Sequence, residues 1–187
     1  GKPVTIAIET VTAIDPQTKT VTTNHGVHTA DALVLAFGSQ TAYFGIEGLQ
    51  QHAFGFKSVA EVRRLRTHIE DMFAAATNPA ITDRSEKVKG LHFVIVGAGP
   101  NGTDLAGELA TLTNTLAKKY SLSETLVTID LVEAAPRILA MMPESVSARV
   151  ERRLQDLGVN VMCNRDLKKE DKDGLVFADM QVGTKTV

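Results

Sequence analysis

Three predominantly apolar, β-branched runs separated by helical periodicity dominate the second half of the chain. Leu91 to Val96, Val127 to Val132 and Gly158 to Cys163 have strand length and read as strands buried in a parallel sheet. Between the first two, Leu105, Leu109, Leu112 and Leu116 recur at helical spacing over Thr103 to Tyr120, which predicts a helix about 27 Å long at 1.5 Å per residue. Between the second and third, Ser145 to Leu157 repeats the pattern with Val146, Val150, Leu154 and Leu157, and Gly158 stops it. Strand, helix, strand, helix, strand predicts an α/β unit with a doubly wound, parallel sheet. Lys168 to Asp173 then reads as a charged hairpin tip, with Asp173-Gly174 supplying a positive φ, and Leu175 to Val187 as a hairpin over the sheet.

The first half has a shorter rhythm. Val4 to Ile8 and Val11 to Ile14 read as strands, Asp15-Pro16-Gln17-Thr18 as a turn, and Thr20 to Thr23 as another strand before Asn24-His25-Gly26 turns again. A small antiparallel meander accounts for them. Ala30 to Ser39 reads as a short buried strand that ends on glycine and belongs to a parallel sheet, although no βα unit precedes it. Ser58-Val59-Ala60-Glu61 is a capping box that opens a helix with Val62, Leu65, Ile69 and Phe73 on one face. Thr77-Asn78-Pro79 closes that helix, and the polar run Thr82 to Lys87 reads as a solvated link into the Leu91 strand.

Candidate chemistry lies where that strand ends. Gly97, Gly99 and Gly102 are spaced G-x-G-x-x-G between a strand and a helix, the context that turns a common spacing into a dinucleotide-binding fingerprint. Gly97 permits the turn, Gly99 lets the backbone approach a pyrophosphate, and Gly102 lets the helix pack closely on the strand. Free N–H groups at the helix start then face the phosphates. Glu133 follows the next strand, at the place where the fingerprint needs a carboxylate for the adenosine ribose hydroxyls. The interval from Gly102 exceeds the usual ~20 residues because the intervening helix is long. Glu133 would repel a 2′-phosphate and Arg137, four residues on, would attract one; Glu133 is the nearer, so NADH is expected over NADPH.

Composition narrows the picture further. With 187 residues, 43% of them hydrophobic, the chain is long enough for one ordinary domain and part of another. A formal charge of −2 and 5% aromatic residues argue against nucleic acid as a partner. No apolar run is long enough to span a membrane. The single cysteine, Cys163, excludes an internal disulfide and reads as a packed thiol in the third strand. The histidines share no ligand spacing, so no metal site is expected.

Gly97-Ala98-Gly99-Pro100-Asn101-Gly102-Thr103-Asp104-Leu105-Ala106-Gly107-Glu108-Leu109, with Leu131-Val132-Glu133-Ala134-Ala135-Pro136-Arg137-Ile138-Leu139, resembles the NADH-binding domain of two-dinucleotide-binding flavoproteins, the pyridine nucleotide-disulfide oxidoreductases. The Asp31 to Gly38 segment resembles that family's second flavin-domain signature, with Phe37 where Thr is usual. The long helix and the Pro136-Arg137-Ile138-Leu139 stretch are most similar to type II NADH:quinone oxidoreductases.

The resemblance implies a Rossmann-like NAD(P)-binding domain over residues 91–187, a connecting helix and linker over 49–90, and a remnant of an FAD-binding domain over 1–48. It implies NADH as cofactor, FAD in the intact protein only, and hydride transfer from NADH to flavin followed by two electrons to a quinone. Pro100, Asn101 and Ala134 join the three glycines and Glu133 as implied cofactor contacts, and Val11, Ala36 and Gly38 as contacts to FAD in the intact enzyme. Where the family commonly has a Glu reaching toward the cofactor pocket, this chain has Asp104, one methylene shorter. As the implied catalytic residue, Asp104 makes that contact through water or loses it; read without the resemblance, it is an acid complementing its helix dipole.

A flavin fingerprint of the same G-x-G-x-x-G form has no second copy here, so the chain is expected to be a fragment truncated at both ends. On its own it is expected to bind NADH weakly and to reduce no quinone. Peripheral membrane contact is implied only through segments outside this chain, with a cytoplasmic place or one on the cytoplasmic membrane face; a homodimer stays open. The alternatives are another NADH-dependent flavoenzyme of this architecture, such as a disulfide or coenzyme A disulfide reductase or an NADH oxidase, and a non-enzymatic NADH-binding module.

Overall fold

The computed structural model describes residues 4–171 and 174–187, which divide between Ser39 and Gln40 into two compact units. In the N-terminal unit, Val11–Asp15 (β1), Thr20–Thr23 (β2) and Val27–Thr29 (β3) form an antiparallel meander in that order. Asp15 builds its first turn, accepting from the Gln17 N–H at 2.9 Å and the Thr18 hydroxyl at 2.7 Å.

The strands expected over Val4 to Ile8 and over Ala30 to Ser39 do not form. Both stretches are irregular, with Ile8 95% and Val34 85% exposed. β-Branched sequence favours a strand only where a neighbour takes its N–H and C=O groups. Here β1, β2 and β3 pair with each other, and neither stretch has a ladder partner among the described residues.

The second unit begins with Leu49–His52 (α1) and Val59–Ala76 (α2). The expected capping box is formed: the Glu61 N–H donates to Ser58 Oγ at 3.2 Å, and the Ser58 N–H donates to the Glu61 carboxylate at 2.8 Å. Part of the polar run read as a link is a helix, Arg84–Gly90 (α3), capped by Asp83 through the Ser85 N–H. Its first residues are charged and none of its residues is buried, so apolar periodicity gave no sign of it.

His92–Val96 (β4), Pro100–Lys119 (α4), a 3₁₀ turn at Glu124–Leu126, Thr128–Val132 (β5), Glu144–Asp156 (α5) and Val159–Met162 (β6) follow. β4, β5 and β6 pair in parallel in that order, with Val94 opposite Asp130 and Asp130 opposite Asn160. On the outer side of β4 the end of the chain continues the sheet: Thr186 bridges Phe93 in parallel, and the Val94 N–H donates to the Thr186 carbonyl at 3.0 Å. β4 is therefore internal, so the segment that follows it leaves from a strand held on both sides.

Leu167–Asp171 (β7), Gly174–Phe177 (β8) and Gln181–Gly183 (β9) form a second, antiparallel sheet. Gly174 has φ +134°, and Asp173, the other half of the expected turn pair, lies outside the described residues.

The parallel sheet separates two apolar clusters. On one side Phe93, Ile95, Ile129, Leu131 and Val159 pack with Ile69 and Phe73 of α2, Leu109 and Leu116 of α4 and Leu154 of α5. On the other, Val94 and Val132 pack with Leu167, Leu175, Phe177 and Val182 and with Leu49. The doubly wound expectation is thus corrected. Helices α2, α4 and α5 cover one face and share a single apolar cluster, and the antiparallel sheet, with the short α1 beside it, takes the other.

α4 also differs from its sequence pattern. The residues most deeply buried are Thr103, Ala106, Ala110, Thr113 and Ala117, with Leu109 and Leu116, whereas Leu105 and Leu112 are only partly buried. Small side chains bring the helix axis close to the sheet, and the leucines pack along its flanks. No helix among the described residues is long and apolar enough to cross a membrane.

Candidate functional site

The glycine turn lies at the carboxyl end of β4, where ligands of open parallel sheets are held. The Gly97 N–H continues the pairing to β5 by donating to the Val132 carbonyl at 2.8 Å, and Gly97 then turns the chain with φ +99°. α4 starts at Pro100, earlier than the leucine pattern indicated, because proline suits the first helical position and Gly99 precedes it as N-cap. Among the described residues no side chain caps that end, so the amides of Asn101 and Gly102 point out of the first turn with no carbonyl four residues back within the helix.

Close packing explains Gly102: a Cβ there would lie 1.9 Å from the Gly97 carbonyl oxygen. Around Gly99 the opposite holds. A Cβ would meet nothing within 4 Å, so the turn faces open volume beside unsatisfied donors. That arrangement fits a diphosphate.

Glu133, beyond the end of β5, converges on the same turn. Its Oε2 accepts from the Ala98 N–H at 2.7 Å and its Oε1 from the Ala135 N–H at 2.9 Å. Each oxygen keeps a lone pair for a further donor. The backbone around it is tied to the far side of the sheet: the Glu133 N–H donates to Met162, and the Arg165 N–H to the Glu133 carbonyl, both at 2.9 Å. Ala134 beside it is exposed. Gly97, Gly99, Pro100, Asn101, Gly102, Glu133 and Ala134 are thus brought to one end of the sheet.

Arg137 is not turned toward that opening. Its guanidinium donates to the Leu139 carbonyl at 3.1 Å, the Ala140 carbonyl at 2.7 Å and Ser147 Oγ of α5 at 2.5 Å. Asp104 is exposed on α4 and lines an open groove of about 640 Å³ against α5, with Glu108, Arg149 and Arg153. Val11 belongs to β1 in the N-terminal unit, where Ala36 and Gly38 lie in the irregular, exposed segment. The Cys163 thiol is pushed above its ordinary pKa by burial, and by the charges of Glu151 and Glu133, which keeps it a poor nucleophile.

Sequence reasoning missed Ala98 and Leu139. Ala98 is fully buried, and its carbonyl accepts from the Leu139 N–H at 2.8 Å. Both act through backbone groups, which side-chain type does not report.

Comparison with known proteins gives the family and the fold. The type II NADH:quinone oxidoreductase of Staphylococcus aureus is 38% identical over 161 residues, covering 82% of this chain and 39% of that protein. The chain thus spans about two fifths of the length of that relative. Among solved structures, NDH2 from Plasmodium falciparum in complex with NADH is similar with a TM-score of 0.78 at 21% identity, over 95% of this chain and 38% of that one. The water-forming NADH oxidase of Lactobacillus brevis bound to NADH is similar with a TM-score of 0.58 at 23% identity, over 95% of this chain and 35% of that one. At such identities the structural likeness is one of fold. Residues 2–186 match the family described as pyridine nucleotide-disulphide oxidoreductase, and with the glycine turn and Glu133 at one end of its parallel sheet, the chain belongs to that family.

Proposed function

We propose that this chain is the NADH-binding part of an FAD-dependent NADH:quinone oxidoreductase. The observation that carries the reading is the contact of Glu133 Oε2 with the Ala98 N–H at 2.7 Å, which puts an acid beside a turn whose donors face open volume. The quinone as acceptor is supported by the name of the Staphylococcus aureus relative. A peripheral place on the cytoplasmic membrane face goes with that reading.

When bound, NADH supplies a hydride to FAD, and two electrons pass on to the acceptor. The residues of this chain bind and orient rather than exchange protons. The first-turn amides of α4 and its dipole hold the diphosphate between Gly99, Pro100, Asn101 and Gly102. Glu133, with Ala134 beside it, accepts from the ribose hydroxyls through its remaining lone pairs. Its charge repels a 2′-phosphate, and Arg137 is committed to Leu139, Ala140 and Ser147, which favours NADH over NADPH. Asp104, just beyond the first turn of α4, is the acid of that helix assigned to the cofactor side, and Val11, Ala36 and Gly38 would be the contacts to FAD.

Titration of NADH and NADPH against the parent chain and Glu133→Ala tests the cofactor assignment. NADH affinity is expected to fall about tenfold, or ~1.4 kcal/mol, with NADPH affinity unchanged or improved. An equal loss for both would remove the ribose role. For the acceptor, the intact protein is expected to oxidise NADH with a water-soluble quinone and not with a small disulfide.

A further inference from the structure

We infer that Arg137 is a positioning residue for the diphosphate-binding turn and acts through the backbone of Leu139. The inference rests on the cofactor reading above and deepens it.

Leu139 adopts φ +48°, a left-handed conformation that a branched, buried side chain disfavours and that persists only where its surroundings hold it. Those surroundings include three contacts of Arg137, beside the Ser147 hydroxyl, which donates to the Leu139 carbonyl at 3.4 Å, and the packing of the Leu139 side chain in the core. One guanidinium nitrogen reaches the Leu139 carbonyl and Ser147 Oγ, and the other reaches the Ala140 carbonyl. Two successive carbonyls are thereby turned to one side, and the Met142 N–H donates to the first of them at 2.8 Å.

The consequence appears on the opposite side of Leu139. Its N–H points at the Ala98 carbonyl, 2.8 Å away, while the Ala98 N–H donates to Glu133. Both polar groups of Ala98, the residue between Gly97 and Gly99, are thus held by the chain beyond β5. Ser147 ties the arrangement to the first turn of α5, so the Leu139 carbonyl, and through the Leu139 N–H the glycine turn, is braced to α5 by the guanidinium together with the Ser147 hydroxyl. A fixed fork with five N–H donors suits this role, and an ammonium does not reproduce it.

Amide hydrogen exchange resolved by residue in the full chain reads the bracing without any ligand, and NADH titration reads its effect. Arg137→Ala is expected to speed exchange at Leu139 and Ala98 at least tenfold, to leave the amides of β5 and β6 within twofold, and to weaken NADH binding about tenfold. Arg137→Lys is expected to behave like Arg137→Ala. Adding Leu139→Gly to Arg137→Ala is expected to restore much of the Ala98 protection, because glycine takes the left-handed conformation freely.

Unchanged exchange at Leu139 and Ala98 in Arg137→Ala overturns the inference, as does a uniform loss of protection across the parallel sheet in both Arg137 variants. A parent chain that shows Arg137-dependent protection of Ala98 yet binds no NADH upholds the bracing and sinks the cofactor reading. NADH binding that is intact and indifferent to Arg137 does the reverse.

Discussion

Two carboxylates belong to the same stretch of β5 and its end, and they are satisfied in different ways. Asp130, within the strand, is 6% exposed and takes its partners from the side chains of the flanking strands: His92 Nε2 lies 2.7 Å from Oδ2, and Asn160 Nδ2 donates to Oδ1 at 2.9 Å. Glu133, just past the strand, is held by backbone N–H groups of two loops and stays partly open. The first arrangement closes on itself and joins three strands. The second fixes an acid beside unsatisfied donors. A buried acid alone therefore does not mark the site; what marks it is an acid held by the backbone that a ligand must approach.

The largest expected effect comes from Gly102→Ala, which attacks the open end directly. The added methyl meets the Gly97 carbonyl at 1.9 Å, backbone against backbone, so the turn has to rearrange. Thermal unfolding should show a loss of roughly 3 kcal/mol, with NADH binding lost as well. Full stability with full binding would mean that the tight packing of α4 on β4 is dispensable.

Asp130→Ala attacks the closed end. Leaving His92 and Asn160 without their acceptor should cost about 2–3 kcal/mol in denaturant unfolding, while NADH affinity at a temperature where the variant is folded stays within about twofold. A loss of affinity as large as that of Glu133→Ala would erase the contrast between the two carboxylates.

A third acid sharpens the comparison. Glu170 of β7 is 4% exposed, and its Oε2 is buried with no hydrogen-bond partner among the described residues. Burial, then the charge of Asp171, pushes its pKa from 4.5 up to about 7. The fold favours the neutral form, so this contribution is fully present below the pH at which the unfolded carboxyl ionises. It is lost as pH rises from 4.5 to about 7 and levels off above. Unfolding measured from pH 4 to 8 should show a decline of roughly 2 kcal/mol from this group, and Glu170→Gln should flatten it. An unaltered slope in the variant would assign the titration elsewhere.

Much of the parallel sheet was legible because β4, β5 and β6 carry apolar residues toward both faces, interrupted by the His92, Asp130 and Asn160 set, as strands covered on both sides do. The Ser58 capping box was legible because it is a local motif. Less could be read where pairing decides the outcome, as at Val4 to Ile8 and Ala30 to Ser39, or where burial is achieved by small residues, as with Ala106, Ala110 and Ala117 of α4. At the site, the glycines and Glu133 were marked by spacing and residue type. The engagement of Arg137 with α5 was not, because nothing in its neighbours tells a guanidinium that faces a ligand from one that turns back on its own loop.

The double hold on Ala98 bears on how fast the site can work. A turn already frozen at both of its central polar groups has little ordering left to undergo when a nucleotide arrives, so the entropic cost of shaping it falls at folding instead of at binding. Encounter is then governed by diffusion and orientation. Under the proposed cofactor reading, how long the nucleotide stays depends on the few contacts at its sugar and phosphates, and variants in those contacts should alter residence time far more than arrival.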